Sequence, residues 1–429
     1  MKLVEGFAAA RAALERRGDP LQDPAKEEAV RQIIADVQRR GDAAVLECIE
    51  RFDGVKLASL EVTKEAVREA YQRVDEGVVG ALELAAVRIR DFYARQKEVL
   101  VRDGEKGGLG WVMRPLARVG IHVPGFTTAL PSSVLMTVVP ARAAGVGEII
   151  LVTPPQKSGR VAPLTLVAAD IAGADRIFSV GGAQAIAALA FGTQSIPAVD
   201  KVCGPGNIYV VLAKKLLFGT VGIDALQGPS EVLIIADETA DARYCASDLL
   251  AQAEHGGGAT AAMVTTSRAL ADRVVREVES QLEGLPAADI ARHALETSGV
   301  IAVVGSVTEA IEVANLYAPE HLLLMVEKGQ SWIDSIRNAG CIVIGPKATV
   351  ALGDYAAGPS HVLPTGGTAR FGSPLSVLDF VKQTNVIRVD DSLLAEIGPA
   401  AEALAYAEGL AAHARAVELR LEKKEEAGQ

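Results

Sequence analysis

The sequence predicts an α/β fold with two Rossmann-like, doubly wound parallel-sheet lobes and helical extensions at the N-terminus and the C-terminus. Short β-branched runs alternate with helical patterns along most of the chain, which is typical of parallel sheets covered by helices. The 429 residues exceed one ordinary hydrophobic core, so more than one lobe is expected. Apolar residues make up 49% of the chain but aromatic residues only 4%, which suits helices packed on buried strands.

The chain is predicted to be helical from about residue 25 to residue 100, because apolar side chains recur there at steps of three and four residues. A first run of alternating elements follows. Its predicted strands are 117–123, 148–155, 176–182 and 200–206, and its predicted helices are 132–146, 163–174 and 183–192.

A second run repeats the same alternation after a glycine- and proline-containing break near Gly222 to Pro229. Its predicted strands are 231–237, 261–267, 299–305, 321–326 and 341–345, and its predicted helices are 242–255, 268–285 and 307–317. Beyond Gly345 a long glycine- and proline-rich stretch predicts a functional loop system. A strand at 379–389 and one long terminal helix at 399–426 complete the chain, and a helix of this length often docks on another lobe or subunit.

These elements predict four segments of the chain. They are a helical N-terminal extension at 1–24, a first α/β lobe formed by 25–116 together with 230–375, a second lobe at 117–229 and a C-terminal extension at 376–429.

The charge of the chain points to small-molecule partners. A net charge of -11 repels phosphate backbones and anionic lipid, so neither nucleic acid nor a membrane is an expected partner. The four cysteines lie far apart without a Cys-x-x-Cys pair, and charged residues interrupt every apolar run near the N-terminus. We therefore expect a cytoplasmic enzyme.

Four of the six histidines lie beside carboxylates, amides or glycines, and this shared context is the main chemical signal in the sequence. Histidine titrates near neutrality and is the commonest metal ligand, so the segments predict acid–base or metal chemistry. The segments are QAEHGGG with Gln252 and His255, APEHLLL with Glu320 and His321, GDYAAGPSHVLPT with Asp354 and His361, and AEGLAAH with Glu408 and His413.

A zinc site is one interpretation of two of these segments. Gln252 and His255 lie three residues apart at the end of a predicted helix and can face one ligand, while Asp354 would add a carboxylate oxygen. Equally, a histidine at a helix C-terminus can serve only the helix dipole, and glutamine is an uncommon zinc ligand. Spacing alone leaves both interpretations open.

The other two segments differ in what they favour. Glu320 and His321 precede an apolar strand and suit a general base with a second carboxylate that handles water, or else a charged loop before a buried strand. Glu408 and His413 are five residues apart and would not share one face of an unbroken helix, although Gly409 could loosen the backbone there.

No standard dinucleotide or P-loop fingerprint follows a predicted strand. Weaker glycine-containing turns do so, in HVPGFTT, VGGAQ and CGPGN, and strand ends of this kind are where open α/β sheets bind ligands.

Taken in order, VGGAQAIAALAFGT, VDKVCGPGN, GPSEVLIIAD, SDLLAQAEHG, LYAPEHL and GDYAAGPSHVLPT resemble the histidinol dehydrogenase family from about residue 25 to the terminal helix. The resemblance implies a homodimer with one Zn²⁺ per subunit and shared active sites. It also implies oxidation of L-histidinol to L-histidine through the aldehyde, with two NAD⁺ used in turn, as the last steps of histidine biosynthesis.

The resemblance also implies roles for individual residues. Those roles are zinc ligands at Gln252, His255, Asp354 and His413, a catalytic pair at Glu320 and His321, and NAD contacts at Gln184 and Asn207. Substrate contacts are implied at Ser230, His361 and Glu408, together with the zinc ligands and His321. The first lobe would then carry most catalytic and zinc residues, the second lobe the NAD contacts, and the C-terminal extension would complete the partner subunit's site.

One position departs from the family pattern, which usually has an NAD-contacting tyrosine followed by a Pro-Gly-Gly turn. Here His122 stands in its place and is expected to contact NAD, and a Gly125–Phe126 turn follows. Two other classes stay open at this stage, a zinc hydrolase without a cofactor and a catalytically silent nucleotide-binding or assembly protein.

Overall fold

Parallel sheets organise the computed structural model, which describes residues 1–16, 23–125, 128–256, 258–286 and 288–422. Its strands are β1 (Lys2–Glu5), β2 (Gly104–Lys106), β3 (Leu109–Pro115), β4 (Arg118–His122), β5 (Glu148–Thr153), β6 (Arg176–Ser179), β7 (Lys201–Cys203), β8 (Gly222–Ile223), β9 (Glu231–Ala236), β10 (Thr260–Thr265), β11 (Val300–Val303), β12 (His321–Met325), β13 (Cys341–Ile344) and β14 (Val381–Ile387).

Helices flank these strands on both faces. They are α1 (Phe7–Ala13), α2 (Pro24–Arg40), α3 (Asp42–Asp53), α4 (Lys64–Tyr71), α5 (Glu76–Leu100), α6 (Pro131–Ala144), α7 (Pro163–Ala172), α8 (Gly182–Phe191), α9 (Ile208–Leu217), α10 (Ala242–Ala253), α11 (Arg268–Leu282), α12 (Ala288–Ser298), α13 (Val307–Tyr317), α14 (Val350–Tyr355), α15 (Asp391–Ala407) and α16 (Ala411–Glu422). None of the described helices is both long and apolar enough to span a bilayer.

The larger sheet is parallel throughout, with the strand order β1-β11-β10-β9-β12-β13. Helices α10, α11 and α12 cover one face, and α1 and α13 cover the other. Its central strands are therefore continuously apolar, as in IIA of β9 and LLL of β12, because both faces are buried.

The smaller parallel sheet has the strand order β6-β5-β4-β7-β8. Helices α5, α6 and α7 pack on one face, and α2, α3, α8 and α9 pack on the other. The chain proceeds from β4 outward to β6 and then returns to the opposite side of β4 with β7. The two parallel sheets confirm the predicted α/β class.

The N-terminal helices pack on a different lobe from the one that was predicted. Residues 25–116 were joined to 230–375, but helices α2 to α5 pack on the smaller sheet. The larger sheet already has both faces covered by its own helices, so the apolar faces of the N-terminal helices bury against the smaller one.

The extreme N-terminus is only partly the helical extension that was predicted for residues 1–24. Residues Lys2–Glu5 form β1, which extends the larger sheet by pairing with β11, and α1 then packs on α13. The four-residue strand has no periodicity of its own and gains its hydrogen bonds from a strand almost 300 residues away.

The predicted single terminal helix is wrong, because α15 and α16 are separate helices that pack on each other. Gly409 has a left-handed φ of +75°, and the Leu410 amide donates to the Ala405 carbonyl at 2.8 Å, which ends α15. We call residues 391–422 the C-terminal arm. Just before it, β14 pairs antiparallel with β3, and β2 completes this third sheet.

Candidate active site

The amino edge of the larger sheet, where β9 and β12 begin, carries the predicted catalytic residues. His321 is the first residue of β12 and lies in register with Val232 of β9, while Ser230 directly precedes β9. Helix α10 runs back from the carboxyl edge of the sheet and ends at the amino edge with Gln252 and His255 close to its terminus. The site therefore lies at the edge opposite to the one where open α/β sheets usually bind ligands.

Glu320 and His321 are buried together at this edge, with 5% and 7% of their surface exposed. The Nδ1 atom of His321 lies 3.8 Å from Glu320 Oε2, and its Nε2 atom lies 3.6 Å from Asp354 Oδ1. Glu320 Oε2 also accepts a hydrogen bond of 2.8 Å from the Glu231 backbone amide. The imidazole is thus flanked by two carboxyl groups in a site largely shielded from water.

This environment shifts both pKa values. Burial raises the pKa of Glu320 to about 7. The charge of His321 and the hydrogen bond from the Glu231 amide both lower this pKa, but burial outweighs them. Burial on its own would lower the pKa of His321, but contact with Asp354 and the charge of Glu320 outweigh it, so that pKa is raised. Glu320 can therefore gain or lose a proton near neutral pH, and the raised pKa makes His321 a stronger base, as acid–base catalysis requires.

Two further residues lie behind this pair without any signal in the sequence, Arg16 and Glu231. Arg16 forms a two-pronged ion pair with the buried Glu231 carboxylate, with one N–H···O distance of 2.7 Å, and stacks 4.2 Å from the Tyr317 ring centroid. Arg16 also donates to the carbonyls of Tyr317 and Ala318 at 3.0 and 3.3 Å. Ala318 has a left-handed φ of +53°, so Arg16 holds both the start of β9 and the strained turn that delivers Glu320.

His361 joins the amino edge to the other lobe. Its Nδ1 atom donates to the Asp354 carbonyl at 3.0 Å, and its Nε2 atom lies 3.1 Å from the Ser133 hydroxyl of α6. Because α6 belongs to the smaller sheet, the site lies between the two lobes. Burial lowers the pKa of His361. The neutral form of the ring is therefore favoured, with one hydrogen bond at each nitrogen.

Gln252 and His255 approach the same region. A hydrogen bond between Thr349 and Asp248 joins the start of α14 to α10, so that Gln252 lies one helical turn beyond this contact and Asp354 lies later in α14. Asp354 raises the pKa of His361 and His255 lowers it, so both side chains lie near that ring. The Gln252 Nε2 atom is buried and finds no hydrogen-bond partner within the ranges that the structure describes.

In the single chain the predicted zinc set remains incomplete. Glu408 and His413 are solvent-exposed on the C-terminal arm, and no described hydrogen bond or ion pair joins either to Gln252, His255 or Asp354. Within the described ranges of one chain, no group of three or more His, Cys, Asp or Glu side chains could hold a metal ion.

The three predicted NAD contacts gather at the carboxyl edge of the smaller sheet. His122 is the last residue of β4, Gln184 lies in the first turn of α8 after β6, and Asn207 caps α9 after β7. Asn207 Oδ1 accepts from the Tyr209 and Val210 amides at 3.1 and 3.2 Å, which leaves its NH₂ group free of the cap. This is the topological switch point of the sheet, the usual ligand position in such folds. Phe126, the other departure from the family pattern, lies outside the described residues.

Comparison with known proteins decides the family. The histidinol dehydrogenase family model matches residues 16–421. The chain belongs to the histidinol dehydrogenase family. It is 51% identical to a histidinol dehydrogenase of Dehalococcoides mccartyi (strain CBDB1), covering 98% of this chain and 100% of that protein. It is 46% identical to one of Bacillus cereus (strain ATCC 14579), covering 92% of each chain.

A solved structure agrees with the family assignment. The crystal structure of histidinol dehydrogenase from Elizabethkingia anophelis superposes with a TM-score of 0.94 and 36% identity, covering 99% of each chain. Family membership confirms the predicted reaction, the NAD-dependent oxidation of histidinol to histidine in histidine biosynthesis. The zinc hydrolase and the silent binding protein thereby lose their support.

Proposed function

We propose that Glu320 and His321, buried at the amino edge beside Asp354, move the protons of both oxidation steps. The observation that carries this proposal is the imidazole of His321, held within 4 Å of two carboxyl groups at the junction of the lobes. Each step removes two electrons as hydride, so the alcohol becomes an aldehyde and then a carboxylate while two NAD⁺ are reduced.

In the first step, His321 takes the hydroxyl proton of L-histidinol as the carbinol hydride leaves for NAD⁺. A base should have a pKa near the working pH, and the neighbouring carboxyl groups raise that of His321 from its ordinary value. The bound aldehyde then remains between the lobes while NADH is exchanged for a second NAD⁺.

In the second step, Glu320 takes a proton from water as its oxygen attacks the aldehyde carbon. His321, having released its first proton to solvent, then takes a hydroxyl proton of the hydrate as hydride leaves for NAD⁺, and the product is the carboxylate of L-histidine. Glu320 suits this role because burial holds its pKa at about 7, where a carboxyl group is still a useful base.

Glu320 therefore gives the second step a distinctive pH dependence. Only the carboxylate form can accept a proton, so kcat/KM for histidinal should rise as pH increases through about 7 and level off above it. Glu320→Gln should lose this rise and slow the second step by about 10²–10⁴-fold. A parental profile that stays flat from about pH 6 to about pH 8 would show that Glu320 is not the base.

The donor set fits zinc in its chemistry. His255, His413 and Asp354 offer imidazole and carboxylate donors, and the buried amide nitrogen of Gln252 has no hydrogen-bond partner in the described part of the chain. When bound, the ion would orient the imidazole and amine of the substrate. Ser230, His361 and Glu408 would complete the substrate contacts.

The C-terminal arm is proposed to complete the site of a second subunit in a homodimer. Helices α15 and α16 pack on each other and leave large apolar side chains exposed, which are Ile397, Leu404, Tyr406, Leu410 and Leu419. An arm of this kind gains stability by burial on a partner. His413 and Glu408, exposed in one chain, would then meet Gln252, His255 and Asp354 of the other.

Subunit mixing tests this exchange. When His321→Asn and His413→Asn chains are co-expressed in equal amounts, mixed dimers pair an intact body with an intact arm, and about a quarter of the parental activity should return. Without exchange, every site keeps one defect and no activity returns. Co-expression of Glu408→Gln with His413→Asn chains is the matched control, because both defects lie on the arm.

For the nucleotide, we propose contacts from Gln184, Asn207 and the His122 region at the carboxyl edge of the smaller sheet.

The charge of -11, the scattered free cysteines and a biosynthetic reaction support a cytoplasmic location for the enzyme.

A further inference from the structure

A buried ion pair at the carboxyl edge of the smaller sheet has no part in the proposed chemistry. Lys214 of α9 is fully buried and pairs with Asp224, whose side chain is 3% exposed. Gln227 bridges the two, because its Oε1 accepts from Lys214 Nζ at 2.9 Å and its Nε2 donates to Asp224 Oδ2 at 3.0 Å. Burying two charges carries a desolvation penalty that can exceed their attraction, so such a pair is weak support for stability alone.

The network converges on one residue of the loop after β7, Gly204. Asp224 Oδ2 accepts from the Gly204 amide at 2.8 Å, and Lys214 Nζ donates to the Gly204 carbonyl at 3.1 Å. The anion therefore holds the donor and the cation holds the acceptor of a single residue. Both backbone hydrogen bonds of Gly204 are thus made to charged side chains, and such bonds are stronger than neutral ones.

His122 holds the next residue of the loop. Its Nδ1 atom lies 2.8 Å from the Pro205 carbonyl, which can only accept, so Nδ1 carries the proton. Burial lowers the pKa of His122 to about 4, which keeps the ring neutral at physiological pH. Among the described residues, its buried Nε2 atom has no hydrogen-bond partner, so in this conformation the ring supports the loop rather than facing an open site.

The loop is also sterically tied to β4. Gly204 has a left-handed φ of +107°, and a Cβ atom at this position would lie 2.2 Å from the His122 carbonyl oxygen. Only glycine fits this close approach of β4 and the loop. Three residues after Gly204 comes Asn207, whose free NH₂ group lies at the switch point.

We propose that Lys214, Asp224 and His122 are positioning residues for NAD, which fix the Gly204–Asn207 loop in its binding conformation before the nucleotide arrives. The inference rests on the proposed contact between Asn207 and NAD. A loop that is ordered in advance avoids the entropic cost of ordering on binding, so the network acts on affinity for the nucleotide.

The test measures equilibrium binding of NADH by its fluorescence, without histidinol. Lys214→Met combined with Asp224→Asn removes both charges without leaving one unpaired, and it should weaken NADH binding at least tenfold. The KM for NAD⁺ should rise with it, whereas the KM for histidinol and the zinc content should stay at parental values. Lys215→Met is the matched control, because this exposed lysine lies on the same helix but outside the network and pairs with Glu27 at 3.7 Å.

Parental NADH affinity in the folded double variant would overturn the proposal. If that variant does not fold, His122→Phe decides, since it keeps a buried ring but removes the hydrogen bond to Pro205, and it should weaken NADH binding several-fold. Unchanged binding there would overturn the proposal as well. Asn207→Ser keeps an oxygen for the helix cap but removes the NH₂ group, so unchanged affinity in this variant would refute the Asn207 contact and not the network.

Discussion

Replacing His321 with asparagine should remove nearly all histidinol oxidation, with kcat about 10²–10⁴-fold lower, the range expected for loss of a positioned general base. Asparagine keeps a polar side chain of similar reach but cannot accept a proton in the working pH range. Because His321 is outside the proposed zinc set, the variant should retain its zinc and bind NADH normally. The measurement is steady-state NADH formation with histidinol, together with the metal content of the same preparation.

The control for this prediction is His293→Asn. His293 lies on the exposed side of α12, and its substitution should leave the rate unchanged. Turnover of His321→Asn at the parental rate would show that another group takes the hydroxyl proton. Slow turnover accompanied by loss of zinc would show that His321 acts by holding the metal site.

Much of the fold could be predicted because its signals are local. The alternation of apolar strands and helices identified both parallel sheets, since strands buried on both faces are apolar throughout, as β9 and β12 are. Two features had no local signal. Strand β1 forms only by pairing with β11, which is distant in sequence. The N-terminal helices pack on the smaller sheet because both faces of the larger sheet are already covered by other helices.

The site was predictable to a different extent. Its histidine segments were visible because histidine is rare in this chain and recurs beside carboxylates. Their position at the amino edge of the larger sheet was not, because it depends on α10 and α14 returning to that edge. Arg16 was missed since an arginine after a short helix carries no sign that it will pair with Glu231, 215 residues away.

Removal of zinc should abolish histidinol oxidation while leaving the nucleotide site intact. Gln252, His255 and Asp354 lie between the lobes, whereas Gln184 and Asn207 lie at the carboxyl edge of the smaller sheet. Treatment with a chelator, with metal loss confirmed by elemental analysis, should therefore eliminate turnover but preserve NADH binding. Added Zn²⁺ should restore the rate, because the donors of a folded protein remain in place.

Measuring both turnover and NADH binding distinguishes a specific effect of zinc removal from unfolding of the enzyme. A chelated enzyme that loses NADH binding as well has lost its structure, and its inactivity says nothing about the metal ligands. His413→Asn should reproduce the chelated state in part, with weaker zinc retention and normal NADH binding, because it removes one imidazole from the proposed set. Full turnover after confirmed metal removal would refute the zinc assignment and leave Glu320 and His321 to orient histidinol without it.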